Sequence, residues 1–211
     1  MRTMKASSRP VLRVVILAAG FSRRLGTPKA LARVHGVGLL RRTATLLAAF
    51  GDGRTIVVAP PRQGRFAAEL RGLEVELCVN ARTASGLSSS VRLGLARARG
   101  ASAVLLVPVD LVDLRARDIA RLVTAWRAAP RRVIARRIGT AGGTPLILPR
   151  ALFGTAATID ADHGLREVVC ALAPERRRLL PLPSAAADVD ERRDLLAARR
   201  RLRGRGQTPR K

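Results

Sequence analysis

Residues 11–31 read VLRVVILAAGFSRRLGTPKAL and join an apolar run to a loop of small and cationic residues. From Val11 to Leu17 the run is rich in β-branched side chains and almost unbroken in apolar character. That pattern suits a strand buried on both faces of a parallel sheet. Comparable runs recur at Thr55 to Val58, Val75 to Val79, Ala103 to Val107 and Val133 to Ala135. Between them lie helix-period stretches: Leu87, Val91, Leu95 and Ala98 share one face, and Ile119, Leu122, Val123 and Trp126 share another. Strands alternating with helices predict βαβ units in a single doubly wound, mostly parallel sheet flanked by helices, an α/β fold. After Arg136 the pattern loosens into a glycine-rich turn, GTAGGTP, a short strand LIL, the stretch TIDADHG and a further helix.

In such sheets ligands bind beyond the carboxyl ends of the strands. Chemistry is therefore expected in the loops after Leu17, Val79 and Val107, completed by whatever the C-terminal third folds back over them. The loop after Leu17 has the composition of a polyphosphate site. Small residues at Ala18, Ala19 and Gly20 let backbone N–H groups come close to an anion, and Arg24 and Lys29 add full charges. Gly20 taken alone would equally serve as a simple strand-to-helix turn. Neither GxGxxG nor GxxxxGK[ST] is present.

Composition narrows the class. The chain has 211 residues, 47% apolar, which is enough for one core. A single domain over 11–198 is expected, between a polar, disordered N-terminus (1–10) and a basic, disordered tail (199–211). No apolar run approaches the ~20 residues of a membrane span, so a cytoplasmic protein is expected. Cys78 and Cys170 have no metal-ligand spacing and read as packing residues. A net charge of +25 ordinarily suggests nucleic acid. Yet only three basic residues, Lys5, Lys29 and Lys211, are lysine, and alanine is abundant, which resembles compositional drift toward Arg and Ala. With 2% aromatics and no Tyr, few platforms remain for stacking bases.

The segment LAAGFSRRLGTPKAL resembles the signature LAAGxSxRxGxPK of the molybdenum cofactor cytidylyltransferase-like branch of the MobA-like NTP transferases. Later landmarks follow in order. NARTASGLSSSVRLGL resembles the family's Asn, Gly and serine-cluster segment, through Asn80, Gly86, Ser88, Ser89, Ser90 and Gly94. Asp110 stands where the family carries a magnesium-binding Asp, although Leu111 and Val112 replace its usual neighbours. GGTPLILPR has Thr144 in place of the family His. ATIDADHGLREVV keeps Asp162, Gly164 and Arg166 but has Ala161 and Leu165. AADVDERRDLLAA keeps Asp188, Asp190 and Asp194, with Glu191 and Arg192 in place of Thr and Pro.

This resemblance implies a Rossmann-like nucleotide-diphospho-sugar transferase fold and transfer of NMP from an NTP to a phosphorylated acceptor, with loss of pyrophosphate. It implies that Leu17, Ala18, Ala19, Gly20, Ser22, Arg24, Lys29, Asn80, Gly86, Ser88 and Ser90 bind nucleotide. Lys29, Arg24 and Asp110 would be catalytic, and Asp110 and Asp190 would hold Mg²⁺. Ala19 in Leu-Ala-Ala-Gly favours CTP over GTP, and a molybdopterin-type acceptor is implied. Each polar residue also has a plain structural role open to it, since Ser and Asp are favoured helix N-caps. His35 reads as a structural turn residue, whereas His163 lies in the acceptor stretch. Two alternatives remain: a catalytically weak nucleotide- or cofactor-binding maturation factor for a molybdenum hydroxylase, and a sugar-phosphate or guanylyl transferase of the same superfamily.

Overall fold

β1 (Leu12–Leu17) occupies the middle of a seven-stranded sheet and sends alternate side chains into two separate cores. Leu12, Val14, Ile16 and Ala18 pack on one side, Val15, Leu17 and Ala19 on the other. A strand that contributes to two cores cannot carry a polar face, which accounts for its near-continuous apolar run. The computed structural model describes residues 9–20, 25–62, 64–83, 86–158 and 165–203.

The chain continues through a small hairpin, β2 (Arg33–Val34) and β3 (Val37–Gly38), then α1 (Leu39–Leu47), β4 (Thr55–Ala59), α2 (Gly64–Glu69) and β5 (Val75–Val79). There follow α3 (Gly86–Arg97), β6 (Ala103–Pro108), α4 (Ala116–Ala128), β7 (Val133–Ile138), β8 (Ala141–Pro149), α5 (Phe153–Ala157), α6 (Leu165–Ala171), β9 (Arg177–Leu180) and α7 (Arg192–Arg203). The sheet order is β5-β4-β1-β6-β8-β7-β9. β8 alone runs against its neighbours, so the sheet is doubly wound and mostly parallel. One core lies under α1, α2, α4 and α7, and the other under α3, α5 and α6. No helix among the described residues is long and apolar enough to cross a membrane.

Three details depart from the sequence expectation. Only Gly139 and Thr140 turn; the rest of GTAGGTP belongs to a nine-residue strand, β8. Gly142 is there for close packing: a Cβ would meet Val169 Cγ1 at 2.4 Å and Leu179 Cδ2 at 2.8 Å. β9 escapes a periodicity search because two of its four residues are Arg and it sits at the sheet edge. Of the two cysteines, Cys78 is buried, with burial and then the Glu76 carboxylate pushing its thiol up to about 11, whereas Cys170 is exposed.

α3 comes close to the sheet at Gly94, where a Cβ would meet Val15 Cγ1 at 2.6 Å. Gly94→Ala gains up to ~1 kcal/mol of helix propensity but forces two packed layers apart, which costs ~1–3 kcal/mol. Net destabilisation is expected, read as a lower midpoint in urea with an unchanged slope.

Candidate active site

The register of the central strands gathers the loops. Leu17 pairs with Pro108 across β1 and β6, and with Val58 across β1 and β4. The chain therefore leaves β1, β4 and β6 at one level. Backbone bonds hold the exits together: Val109 N–H donates to Leu17 O (3.2 Å), Ala18 N–H to Val58 O (2.9 Å) and Asn80 N–H to Ala59 O (2.8 Å).

At this rim Lys29, Asp110 and Asp190 meet. Lys29 opens a short 3-10 turn, Lys29–Leu31, whose Ala30 and Leu31 are buried, so the backbone under the lysine is fixed by the core. Its Nζ donates to Asp110 Oδ2 at 3.1 Å and to Asp190 Oδ1. The lysine side chain is 17% exposed, Asp110 21% and Asp190 54%. Burial alone would lower the lysine pKa, but the hydrogen bond to Asp190 and the charge of Asp110 outweigh it and hold the value above 10.5. Asp110 behaves in the opposite sense. Burial raises its carboxyl pKa more than the Lys29 charge and hydrogen bond lower it.

Asp190 reaches the site because the segment before α7 is anchored at three points. Val189, fully buried, donates its N–H to Asp110 O at 3.1 Å, which ties the backbones of the two acidic residues directly. Upstream, the buried Asp118 carboxylate accepts from Ser184 N–H (3.1 Å) and Oγ–H (2.6 Å), fixing the segment to α4. Downstream, Asp194 Oδ2 accepts from the N–H groups of Asp190 (3.0 Å) and Glu191 (2.8 Å), caps α7, and has its own pKa held down by those bonds. Capping thus falls to Asp194, while the Asp190 carboxylate turns toward Lys29. Asp113 accepts from Arg201 Nε at 2.7 Å and binds α7 to the loop after Asp110.

The serine segment is organised around Asn80, which is 4% exposed. Asn80 Nδ2 donates to Ser89 Oγ (2.8 Å) and Ser90 Oγ (3.0 Å), and its Oδ1 accepts from Arg82 N–H (2.9 Å). Ser88, Ser89 and Ser90 are all buried. Gly86, with φ +72, starts α3 in a conformation that favours glycine. Asn80, Ser89 and Ser90 thus hold the loop in shape through their own side chains. Asn80→Ala would leave two serine hydroxyls short of a donor in a buried place; a loss of ~2–3 kcal/mol, seen as a lower melting temperature, is expected.

Leu17, Ala18 and Ala19 are buried and Gly20 is exposed. A Cβ built on Gly20 would meet no atom within 4 Å among the described residues, so local packing does not demand glycine there. Beside it opens a cleft of about 620 Å³ lined by Ala19, Gly20, Pro28, Pro60, Pro61 and Phe66 among others. The loop after β4 is a part of the site that the sequence reading left out. The signal was available, since Pro60 directly follows a fully buried strand and obeys the same carboxyl-end rule. Arg136, which the sequence reading also passed over, is half-buried within β7, and its guanidinium pKa is lowered by burial against the pull of Asp188.

Some expected residues are not gathered here. Ser22 and Arg24 lie outside the described residues, as do Asp162, His163 and Gly164. Arg166 is exposed on α6, and Thr144 is half-buried in β8. His35, in the turn between β2 and β3, places Nε2 2.8 Å from Arg199 O. Among the described residues no group of three or more His, Cys, Asp or Glu is arranged to hold a metal ion. The pair Asp110 and Asp190 nevertheless fits a hard divalent ion of the kind that takes one or two carboxylates and completes its shell with water and substrate phosphates. The pair is already arranged around a positive charge, the Lys29 ammonium.

Comparison with known proteins finds relatives by sequence and by fold. A protein named probable molybdenum cofactor guanylyltransferase, from Rhodopirellula baltica, is 32% identical over 134 residues, 62% of this chain and 63% of that one. A bifunctional enzyme IspD/IspF from Anaeromyxobacter dehalogenans is 30% identical over 188 residues, 84% of this chain and 47% of its own length. The chain therefore spans less than two thirds of either curated relative. Among solved structures, Rv0371c of Mycobacterium tuberculosis matches with a TM-score of 0.72 at 25% identity, over 90% of this chain and 98% of that one. The same mycobacterial protein, solved as a complex with manganese, matches with a TM-score of 0.69 at 22% identity, over 90% and 98%. The MobA-like NTP transferase domain matches residues 14–177, more than half of the sequence, and the chain belongs to that family.

Proposed function

We propose that this protein is a cytoplasmic nucleotidyltransferase that moves a nucleoside monophosphate from an NTP, with CTP favoured, to the phosphate of a molybdopterin-type acceptor and releases pyrophosphate. The observation that carries the reading is the meeting of Lys29, Asp110 and Asp190 at the rim where the small-residue loop leaves β1. In this reading the N–H groups after Leu17, together with Arg24, Ser22 and Lys29, cradle the triphosphate, and Gly20 is glycine because a ligand, not the protein, needs the space. The cleft between Ala19 and Phe66 has room for the nucleoside, and Asn80, Gly86, Ser88 and Ser90 complete the nucleotide site in this reading.

Mg²⁺ held by Asp110 and Asp190 would neutralise charge on the phosphates; the manganese complex of the mycobacterial protein makes a divalent ion at this fold reasonable. An anionic acceptor phosphate needs no general base to attack the α-phosphorus in line. The work left to the side chains is positioning and charge compensation.

The guanylyltransferase name of the Rhodopirellula relative supports a second reading for the base, GTP in place of CTP. Pyrophosphate release measured with CTP, GTP, ATP and UTP against molybdopterin separates them: faster turnover with CTP is expected, and faster turnover with GTP reverses the choice of base. Nucleotide binding without pyrophosphate release from any pair would favour the alternative of a catalytically weak maturation factor for a molybdenum hydroxylase.

A further inference from the structure

Lys29 stands where a cation shared by Asp110 and Asp190 would have to stand. Its ammonium is hydrogen-bonded to one oxygen of each carboxylate, and its side chain is 17% exposed, with the more buried contact on the Asp110 side. An N⁺–H···O⁻ bond places the nitrogen ~2.8 Å from oxygen, whereas Mg²⁺ needs ~2.0–2.1 Å. A divalent ion bridging the same two oxygens would lie close to the ammonium and be repelled by it.

The backbones that carry the two carboxylates are held together. Val189 N–H to Asp110 O links their backbones, the Ser184–Asp118 bonds and the Asp194 cap hold the Asp190 segment at either end, and the turn below Lys29 is packed on the core. The lysine reaches the pair through a flexible four-carbon stem above that fixed turn, so its ammonium can change partners while the turn stays in place.

We infer that Lys29 is the resident counter-ion of the carboxylate pair and couples metal binding to nucleotide binding. With no triphosphate present it closes the pair against a divalent ion; a triphosphate in the loop after β1 draws the ammonium away and opens the pair. The inference rests on the proposed role of Asp110 and Asp190 as metal ligands and adds an order to it. Charge is matched in both states: the ammonium neutralises carboxylates in the first, and phosphate oxygens in the second while the metal takes the carboxylates. By linkage, metal must tighten nucleotide binding by the same factor as nucleotide tightens metal binding.

Free Mn²⁺ binding, followed by electron paramagnetic resonance at pH 8 without nucleotide, tests this directly. Lys29→Met is expected to bind Mn²⁺ at least about tenfold more tightly than the unsubstituted chain, within the usual range of coupling between sites. Equal or weaker binding overturns the inference. Adding Asp110→Asn to Lys29→Met should abolish the gain. If the double variant binds as tightly as Lys29→Met, the metal lies elsewhere, and the assignment of Asp110 falls together with the inference. If Lys29→Met shows no gain while Asp110→Asn still weakens binding, the coupling fails and the metal assignment survives. The unsubstituted protein gives a second readout, because it has only three lysines, Lys5, Lys29 and Lys211. With ¹⁵N-labelled lysine, the Lys29 signal should move on adding a non-hydrolysable triphosphate and stay in place with millimolar Mg²⁺ alone; a shift caused by Mg²⁺ alone overturns the inference.

Discussion

Lys29→Ala is expected to lower kcat by about 10²–10³-fold, the loss typical when a preorganised group facing transition-state charge is removed. Pyrophosphate accumulates on the leaving side of the proposed reaction, and Lys29 is the described cation best placed to meet it. The fold should survive, because the backbone at Lys29 is set by Ala30 and Leu31 in the core and not by the ammonium. What changes is the charge environment of the carboxylates. The Lys29 charge and hydrogen bond hold the Asp110 pKa down against burial. Without them the Asp110 pKa rises further, so residual activity should fall off at a higher pH on the acid side than in the unsubstituted protein. Steady-state kinetics across pH, with circular dichroism on the same samples, check both halves. A variant with near-normal kcat would remove Lys29 from the mechanism.

Asp110→Asn is expected to lower kcat by about 10³-fold, the several kcal/mol that a correctly held metal contributes to phosphoryl transfer, and yet to leave the protein as stable or more so at pH 8. The sign follows from the raised pKa. A buried carboxyl whose folded value lies above the ordinary 3.8 binds its proton more tightly when folded. Stability therefore drops as pH rises from 3.8 through the folded value, and stays reduced above it. Asparagine carries no charge to bury and still offers Lys29 an acceptor oxygen. A higher Tm at pH 8 is expected, the gain shrinking toward zero as pH approaches the ordinary carboxylate value. A Tm clearly below that of the unsubstituted protein at pH 8 would mean that the Lys29–Asp110 pair is a net structural asset.

Much of the fold was legible in the residues. β1, β4 and β6 are buried on both faces, so each had to be written as a near-continuous apolar run; β5, at one edge of the sheet, is only half-buried, and all four were found within a residue or two. The edge of the sheet was less legible. β9 carries two arginines because one side of an edge strand meets solvent, and β8 contains two consecutive glycines that read as a turn until Val169, Leu179 and Ile138 are seen to need the space. The contacts of Gly142 with Val169 and Leu179 join residues distant in sequence, and no local window contains them.

The site divides along the same line. The sequence by itself determined that a parallel sheet places a small-residue loop at its carboxyl edge, and that one lysine stands there in a chain whose basic residues are nearly all arginine. Its family motif supplied Asp110 and Asp190 as candidates. Only the tertiary structure decided that Lys29 bridges those two carboxylates, that Asp194 and not Asp190 caps α7, that Asn80, Ser89 and Ser90 bind one another to shape their loop, and that Pro60, Pro61 and Phe66 wall the cleft. The physical reason is distance along the chain. A strand is specified by the alternation of its own residues, whereas the charge, burial and partners of Asp110 are fixed by a lysine 81 residues before it and by a segment near Val189 after it.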